Sequence, residues 1–136
     1  MKFRHITVAA FLVFFLKISL SAQNKFSECS AIFLNQKMVV DDYSPNGKCL
    51  LKANAKGTLT VNTAIFENDK WRAADTIGFK ITIKDGNTKT LLSYSEMSFL
   101  KIDIQTILSK CKKGDSILIS VLKDKYALPH NEILVE

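Results

Sequence analysis

Between Gly57 and Phe66, Leu59, Val61, Thr63 and Ile65 take every second position, with Thr60, Asn62 and Ala64 between them. That is the period of a strand with one buried face. Shorter runs of the same kind occupy residues 30–35, 37–41, 48–53, 78–84, 88–94, 116–122 and 132–135, which makes about eight strands by the two-residue period alone. Turn chemistry separates them: the stretch from Asp41 through Tyr43, Ser44 and Pro45 to Gly47, then Asn54 to Gly57, Glu67-Asn68-Asp69-Lys70, and Asp85-Gly86-Asn87. Each holds the Gly, Pro, Asn or Asp that tight backbone reversals require. The clearest hairpin runs from Phe79 to Tyr94. A two-residue turn at Gly86-Asn87 pairs Ile83 with Thr90, Ile81 with Leu92 and Phe79 with Tyr94, and leaves Lys80, Thr82, Lys84 and Lys89 facing water.

One segment follows a different period. Ile104, Ile107, Leu108 and Cys111 fall at helical spacing behind Asp103, a candidate N-cap, and ahead of Lys110, Lys112 and Lys113, whose charges suit a helix C-terminus before Gly114 ends it. The expected helix has about nine residues. Many short strands with turns every ten residues or so, interrupted by one crossover helix, predict a mainly β fold: an antiparallel two-sheet β-sandwich of about seven or eight strands. Its length of 136 residues, with 47% apolar and 24% charged and only five Gly and two Pro, fits one folded domain and excludes a disordered chain or a cysteine-rich miniature scaffold.

The first residues read as an address. Lys2 and Arg4 precede an apolar run from Ile6 to Leu16, and Ser19, Ser21 and Ala22 supply small residues for cleavage, the three parts of a secretory signal peptide. The run is too short to span a bilayer, so the expectation is a signal over residues 1–22, a single domain over 23–136, no membrane span after signal removal, and a periplasmic or secreted protein. Loss of the signal takes Lys2, Arg4 and Lys17 with it and leaves 16 basic against 13 acidic residues, a net charge of +3 instead of +6. So small an excess gives no argument for nucleic acid. Export also permits disulfides. With Cys111 on the helical stripe, Cys29 and Cys49 remain as the candidate pair, each opening an alternating run (Cys29-Ala31-Phe33 and Cys49-Leu51-Ala53); two free buried thiols are the alternative reading.

Candidate chemistry is sparse. His130 is the one histidine left after cleavage, too few for a multi-histidine metal site or a HExxH helix. Paired with a thiol or carboxylate it is the sole basis for a hydrolase reading. Asp41 and Asp42 are neighbours in a turn, and the glycines are isolated, so no phosphate-binding loop is present. No cofactor and no metal are expected, and the chain reads as a non-enzyme. The residues suited to a partner are Tyr43 and Trp71, aromatics in polar surroundings, with Arg72 beside Trp71, and the cationic cluster Lys110, Lys112 and Lys113.

The stretch from Ile77 to Val135 carries a strand hairpin Gly78-Phe79-Lys80-Ile81-Thr82-Ile83-Lys84-Asp85-Gly86, a short helix, the strand start Lys112-Lys113-Gly114-Asp115-Ser116-Ile117-Leu118-Ile119, and a last strand after Leu128-Pro129. This order resembles the C-terminal sandwich domains of GldM, the periplasmic shaft protein of gliding motility and type IX secretion, over about half of the chain left after cleavage. The resemblance implies an exported, non-enzymatic interaction module of a bacterial cell envelope that binds a protein partner, and it brings no catalytic residues. A carbohydrate-binding or adhesive sandwich, which presents coplanar exposed aromatics, and an exported inhibitor or immunity protein are the alternatives.

Overall fold

The structure is a computed structural model that describes residues 28–136, so the expected signal over residues 1–22 lies outside the described residues. Among the described residues the strands are β1 (Glu28–Leu34), β2 (Lys37–Met38), β3 (Cys49–Leu51), β4 (Thr58–Glu67), β5 (Lys70–Ile77), β6 (Phe79–Lys84), β7 (Leu91–Ser93), β8 (Ile102–Asp103), β9 (Ser116–Val121), β10 (Tyr126–Ala127) and β11 (Glu132–Val135), with one helix, α1 (Ile104–Leu108). They form the two sheets that the alternation predicts. The first has the order β10-β1-β4-β5, with β2 added to β1 and β8 to β4, and the second the order β3-β11-β9-β6-β7. Eleven strands replace the seven or eight expected, and two pairings, β1 with β10 and β11 with β3, are parallel.

The sheets close on a core of alternating side chains. Leu59 and Val61 on β4 and Ile32 on β1 meet Phe79, Ile81 and Ile83 on β6, Ile117 and Ile119 on β9, and Ile133 and Val135 on β11. β-branched residues dominate because their restricted χ1 fits a pleated, two-sided packing. Ile32 is paired with Val61 and Leu34 with Leu59, so Ala31 and Phe33 point away from the inter-sheet core, although both are buried. Cys29-Ala31-Phe33 is thus not the inward row; Ser30, Ile32 and Leu34 are. Asn62, expected in water, is 7% exposed on that other face. Its Nδ2 donates to the Ala74 carbonyl and to Thr76, and its Oδ1 accepts from Thr60 at 2.7 Å, which satisfies the amide.

β5 has no period-2 signature and went unread in the sequence, yet the turn that makes it was visible. Asn68 and Asp69 both take positive φ, 51° and 62°, the type I′ geometry that matches strand twist, and they set Phe66 opposite Trp71 and Glu67 opposite Lys70. Further along, Asn62 pairs with Thr76 and Ala64 with Ala73, so Ala74 and Asp75 face only Thr63 and form a β-bulge.

The β6–β7 hairpin forms with a different register. Ile83 pairs with Leu92, not Thr90, because the loop holds four residues instead of two. The Asp85 carboxylate accepts the backbone N–H groups of Asn87 and Thr88, at 2.8 and 2.9 Å, and Lys89 takes a left-handed φ of 61°. A shift by two keeps every side chain on its face but carries β7 past the core edge, so Leu92 is 68% exposed where an inward partner for Ile81 was expected.

The helix is shorter than its pattern. Asp103 caps it, its carboxylate accepting the Gln105 N–H, and Ile104, Ile107 and Leu108 are buried; but it ends at Ser109, and Lys110, Lys112, Lys113 and the half-buried Cys111 follow it. Gly114, at φ 96°, then turns the chain into β9. Asp115 is 5% exposed, and its carboxylate accepts the Lys112 N–H at 2.8 Å and the Gly86 N–H at 3.0 Å, tying the helix exit to the β6–β7 loop. A Cβ on Gly86 would lie 2.2 Å from the Gly114 carbonyl oxygen, so only glycine permits this approach. Replacing Asp115 by Ala leaves two partly buried N–H groups without their acceptor and is expected to cost about 2 kcal/mol; urea unfolding followed by the single Trp71 checks it, with Lys113→Ala, an exposed control, changing stability by under about 0.5 kcal/mol.

Candidate functional site

Loop 41–48 folds back on itself before β3. Asp41 donates its N–H to the Lys48 carbonyl and accepts the Lys48 N–H on its carboxylate at 2.8 Å, Ser44 Oγ donates to Asp42 Oδ2 at 2.6 Å, and the Gly47 N–H reaches the Ser44 carbonyl. A Cβ at Gly47 would sit 1.7 Å from the Asp42 carbonyl oxygen; glycine is what lets the loop close. The acidic pair Asp41-Asp42 therefore builds the turn, as expected of neighbouring carboxylates in a Ser-Pro-Asn-Gly reversal.

At the loop's centre Tyr43 reaches across the molecule. Its hydroxyl donates to the Ser30 carbonyl on β1 at 2.9 Å, its ring meets Trp71 of β5 edge-on with centroids 4.6 Å apart, and its other neighbour is the His130 ring at 5.5 Å. Phe66 adds a fourth ring, 5.1 Å from Trp71. Tilts of 52° to 62° separate these planes, the edge-to-face geometry that aromatic quadrupoles favour. Burial, with the Cys29 thiol beside it, pushes the Tyr43 hydroxyl up to about 12. His130 holds the loop from the far side: its Nε2 lies 2.7 Å from the Ser44 carbonyl. A carbonyl only accepts, so Nε2 carries the proton, and Nδ1 is buried without a partner.

Between this loop and the β3–β11 border runs a groove of about 800 Å³, lined by Tyr43, Ser44, Pro45, Pro129, His130 and Asn131 and by Leu50 and Leu134. The two leucines are 40% and 41% exposed, because they occupy the outward positions of β3 and β11 while Cys49, Ile133 and Val135 face the core. Glu132 and Ser116 close the groove with polar groups. Lys84 pairs with Glu132 at 2.6 Å, and Lys84 followed by Ser116 holds its carboxyl below the usual range.

The residues singled out in the sequence split between two places. Tyr43, Trp71 and Arg72 come together; Trp71 is 39% exposed, and Arg72 makes a bidentate pair with Glu67 at 3.1 and 3.2 Å, which ties up its fork. Lys110, Lys112 and Lys113 lie apart from them, beyond α1. Lys110 stands 5.1 Å over the Tyr94 ring, and Lys112 is 3.7 Å from Asp85, so only Lys113 among them has no pairing of this kind. Phe66, Leu50 and Leu134 were not singled out. The Asn68-Asp69 turn placed Phe66 opposite Trp71 in the sequence already, whereas the leucines carry no local signal, since which face of a strand is outward depends on the partner sheet.

The cysteines are not bridged. Cys29, exposed on β1, and Cys49, buried on β3, are free thiols, as is Cys111. Cys29 stands on the row of Ala31 and Phe33, on the first sheet and away from the core, while Cys49 packs into the core from the second; the expected pairing of inward neighbours fails on that geometry. Cys49 lies 3.7 Å from the His130 backbone carbonyl, not bonded to its ring, so no thiol–imidazole pair forms there. Among the described residues no group of three or more His, Cys, Asp or Glu converges as a metal site, and no helix is long and apolar enough to cross a membrane. Set against protein-family models, curated proteins and solved structures, the chain gives no significant match.

Burial pushes the Cys49 and Cys111 thiols up from 9.0 to about 11. Folding holds these protons more tightly than the unfolded chain does, so the stability they contribute is intact below about pH 9 and is lost as the pH rises toward 11. Thermal melts between those limits should show a falling midpoint, less steep in Cys49→Ala. At neutral pH a thiol reagent should modify exposed Cys29 first, half-buried Cys111 more slowly, and buried Cys49 only on unfolding.

Proposed function

We propose that this protein is an exported, non-enzymatic interaction module of a bacterial cell envelope that grips a protein partner with the groove beside loop 41–48. The observation that carries the reading is the joining of that groove to the aromatic cluster through Tyr43, which lines the one and belongs to the other. A concave, largely apolar surface with partly exposed Trp and Tyr at its border and a few fixed polar groups has the composition of a binding hot spot. The backbone of the loop is braced by its own hydrogen bonds, so little ordering entropy is lost on binding.

Supporting the same reading, the imidazole that a hydrolase would use spends its Nε2 proton on a backbone carbonyl. The tilts between Phe66, Trp71 and Tyr43 do not offer the coplanar platform on which a carbohydrate-binding sandwich stacks sugar rings. The groove serves an inhibitor or immunity role equally well, since that too is protein binding.

A photoreactive phenylalanine analogue placed at Leu50 should capture a discrete protein in envelopes of the native host, while one at Lys80, exposed on β6, should not. Trp71→Ala should weaken binding of the captured protein by about tenfold or more. Equal capture from both positions, or Trp71 fluorescence that responds to oligosaccharides and not to the captured protein, overturns the reading.

A further inference from the structure

The loop that carries Tyr43 also carries a reactive peptide bond. Its reversal is the four-residue turn Ser44-Pro45-Asn46-Gly47, closed by the Gly47 N–H on the Ser44 carbonyl at 3.0 Å. Asn46 is exposed. Among the described residues its side-chain amide has no hydrogen-bond partner, and only its backbone N–H is held, by Ser44 Oγ at 3.3 Å. A carboxamide is an electrophile, and the backbone nitrogen of the next residue is placed to close a five-membered ring on it. In most sequences the following side chain shields that nitrogen; glycine has none.

Gly47 is the one glycine of the five that follows an asparagine. Asp85-Gly86 has the same spacing but is closed to this chemistry: the Gly86 N–H is held by the buried Asp115 carboxylate, and the Asp85 carboxyl, kept below its usual range by the Thr88 and Asn87 N–H groups it accepts, has no amide to expel. Asn35 and Asn62 have their side chains in hydrogen bonds. At Asn46 the one restraint is the turn itself, since the Gly47 N–H must leave the Ser44 carbonyl before its nitrogen can attack. That carbonyl keeps a second donor, His130 Nε2 at 2.7 Å, so the opening leaves no acceptor unsatisfied.

We propose that loop 41–48 modifies itself at Asn46. The Gly47 nitrogen gives up its proton and bonds to Asn46 Cγ, the Cγ–Nδ2 bond breaks, and ammonia leaves with that proton. Water then opens the ring: addition at Cγ yields an aspartate, and addition at the backbone carbonyl yields an isoaspartate, whose chain runs through Cγ. Either way one water is consumed, one ammonia is released, and a neutral amide becomes a carboxylate. Asp41 and Asp42 against Lys48 give the loop a net charge of −1, and conversion makes it −2. The new charge is on the residue whose N–H shares Ser44 Oγ with the Asp42 carboxylate, so the two repel. Isoaspartate also adds a backbone carbon ahead of Gly47, where a Cβ would already meet the Asp42 carbonyl oxygen at 1.7 Å; the turn has no room for it, and the Ser44–Gly47 bond is lost. The result is a one-way change of charge and closure in the segment that holds Tyr43.

Storage of the folded, purified protein for several weeks at mildly alkaline pH and physiological temperature, followed by peptide mapping, tests it. The peptide spanning Asn46 should gain the mass difference between an amide and an acid and resolve into aspartate and isoaspartate forms, while the other described asparagines stay unchanged. Asn46→Gln, which would need a six-membered ring, should abolish the gain and leave the far-ultraviolet circular dichroism unchanged. Asn46 intact in the folded protein over a period in which the urea-unfolded chain converts, conversion of the other asparagines at the same rate, or a product free of isoaspartate overturns the inference. None of these outcomes bears on the groove, whose partner is read by the separate capture at Leu50.

Discussion

Ile117 and Ile119 on β9 are buried between β6 and β11, the two strands hydrogen-bonded to it, and the first sheet closes over them with Leu59, Val61 and Ile32. Strand β9 is thus constrained in three directions at once: by ladders on both sides and by close packing from above. Its register sets that of its neighbours, because a slip of one residue would turn the isoleucines outward and bring Leu118 and Ser120 into the core. The loops at either end of the sandwich take their positions from this strand. Asp115, one residue ahead of it, anchors the helix exit and the β6–β7 loop, and Ile119 donates its N–H to the Asn131 carbonyl, which fixes the segment carrying His130.

Tyr43 serves as the second constraint. A loop rich in Asp, Ser, Asn and Gly has little reason to stay closed against a sheet, and a single half-buried tyrosine hydroxyl bonded to β1, together with rings on two sides, holds it there. The groove exists because the loop stands off from the outward leucines of β3 and β11 while remaining tethered at Tyr43 and Ser44. Rigidity at one border and an apolar surface at the other are what recognition without large rearrangement needs.

The fold was legible wherever one face of a strand is wet and the other dry. Residues 132–135 read correctly because alternation and burial coincide there, and so do Leu59 and Val61 in β4, whereas Asn62 in the same strand is buried and Ile65, expected on the inward row, is 38% exposed. β5 did not, since Trp71, Arg72, Asp75 and Thr76 are all exposed and no period distinguishes its faces. β1 misled for the converse reason: Ser30, Ala31, Ile32 and Phe33 are all buried, so alternation exists but does not say which row meets the other sheet, and the reading of Cys29 went with it. The hairpin loop hid in a side chain, the Asp85 carboxylate that extends a two-residue turn to four. For the site, Tyr43 and Trp71 stood out as aromatics among polar neighbours, but their meeting with His130, 59 residues beyond Trp71, is a product of topology that no local pattern encodes.

The bulge at Ala74 and Asp75 decides what the outer border of the first sheet can accept. Strand β5 ends the first sheet, and there the spare residue bends the backbone while Lys70, Arg72 and Asp75 line the border with charge; bending and charge are two of the devices that blunt a sheet margin against docking. A margin so bent and charged offers no straight ladder to an extended chain, which closes the outer side of β5 to strand addition.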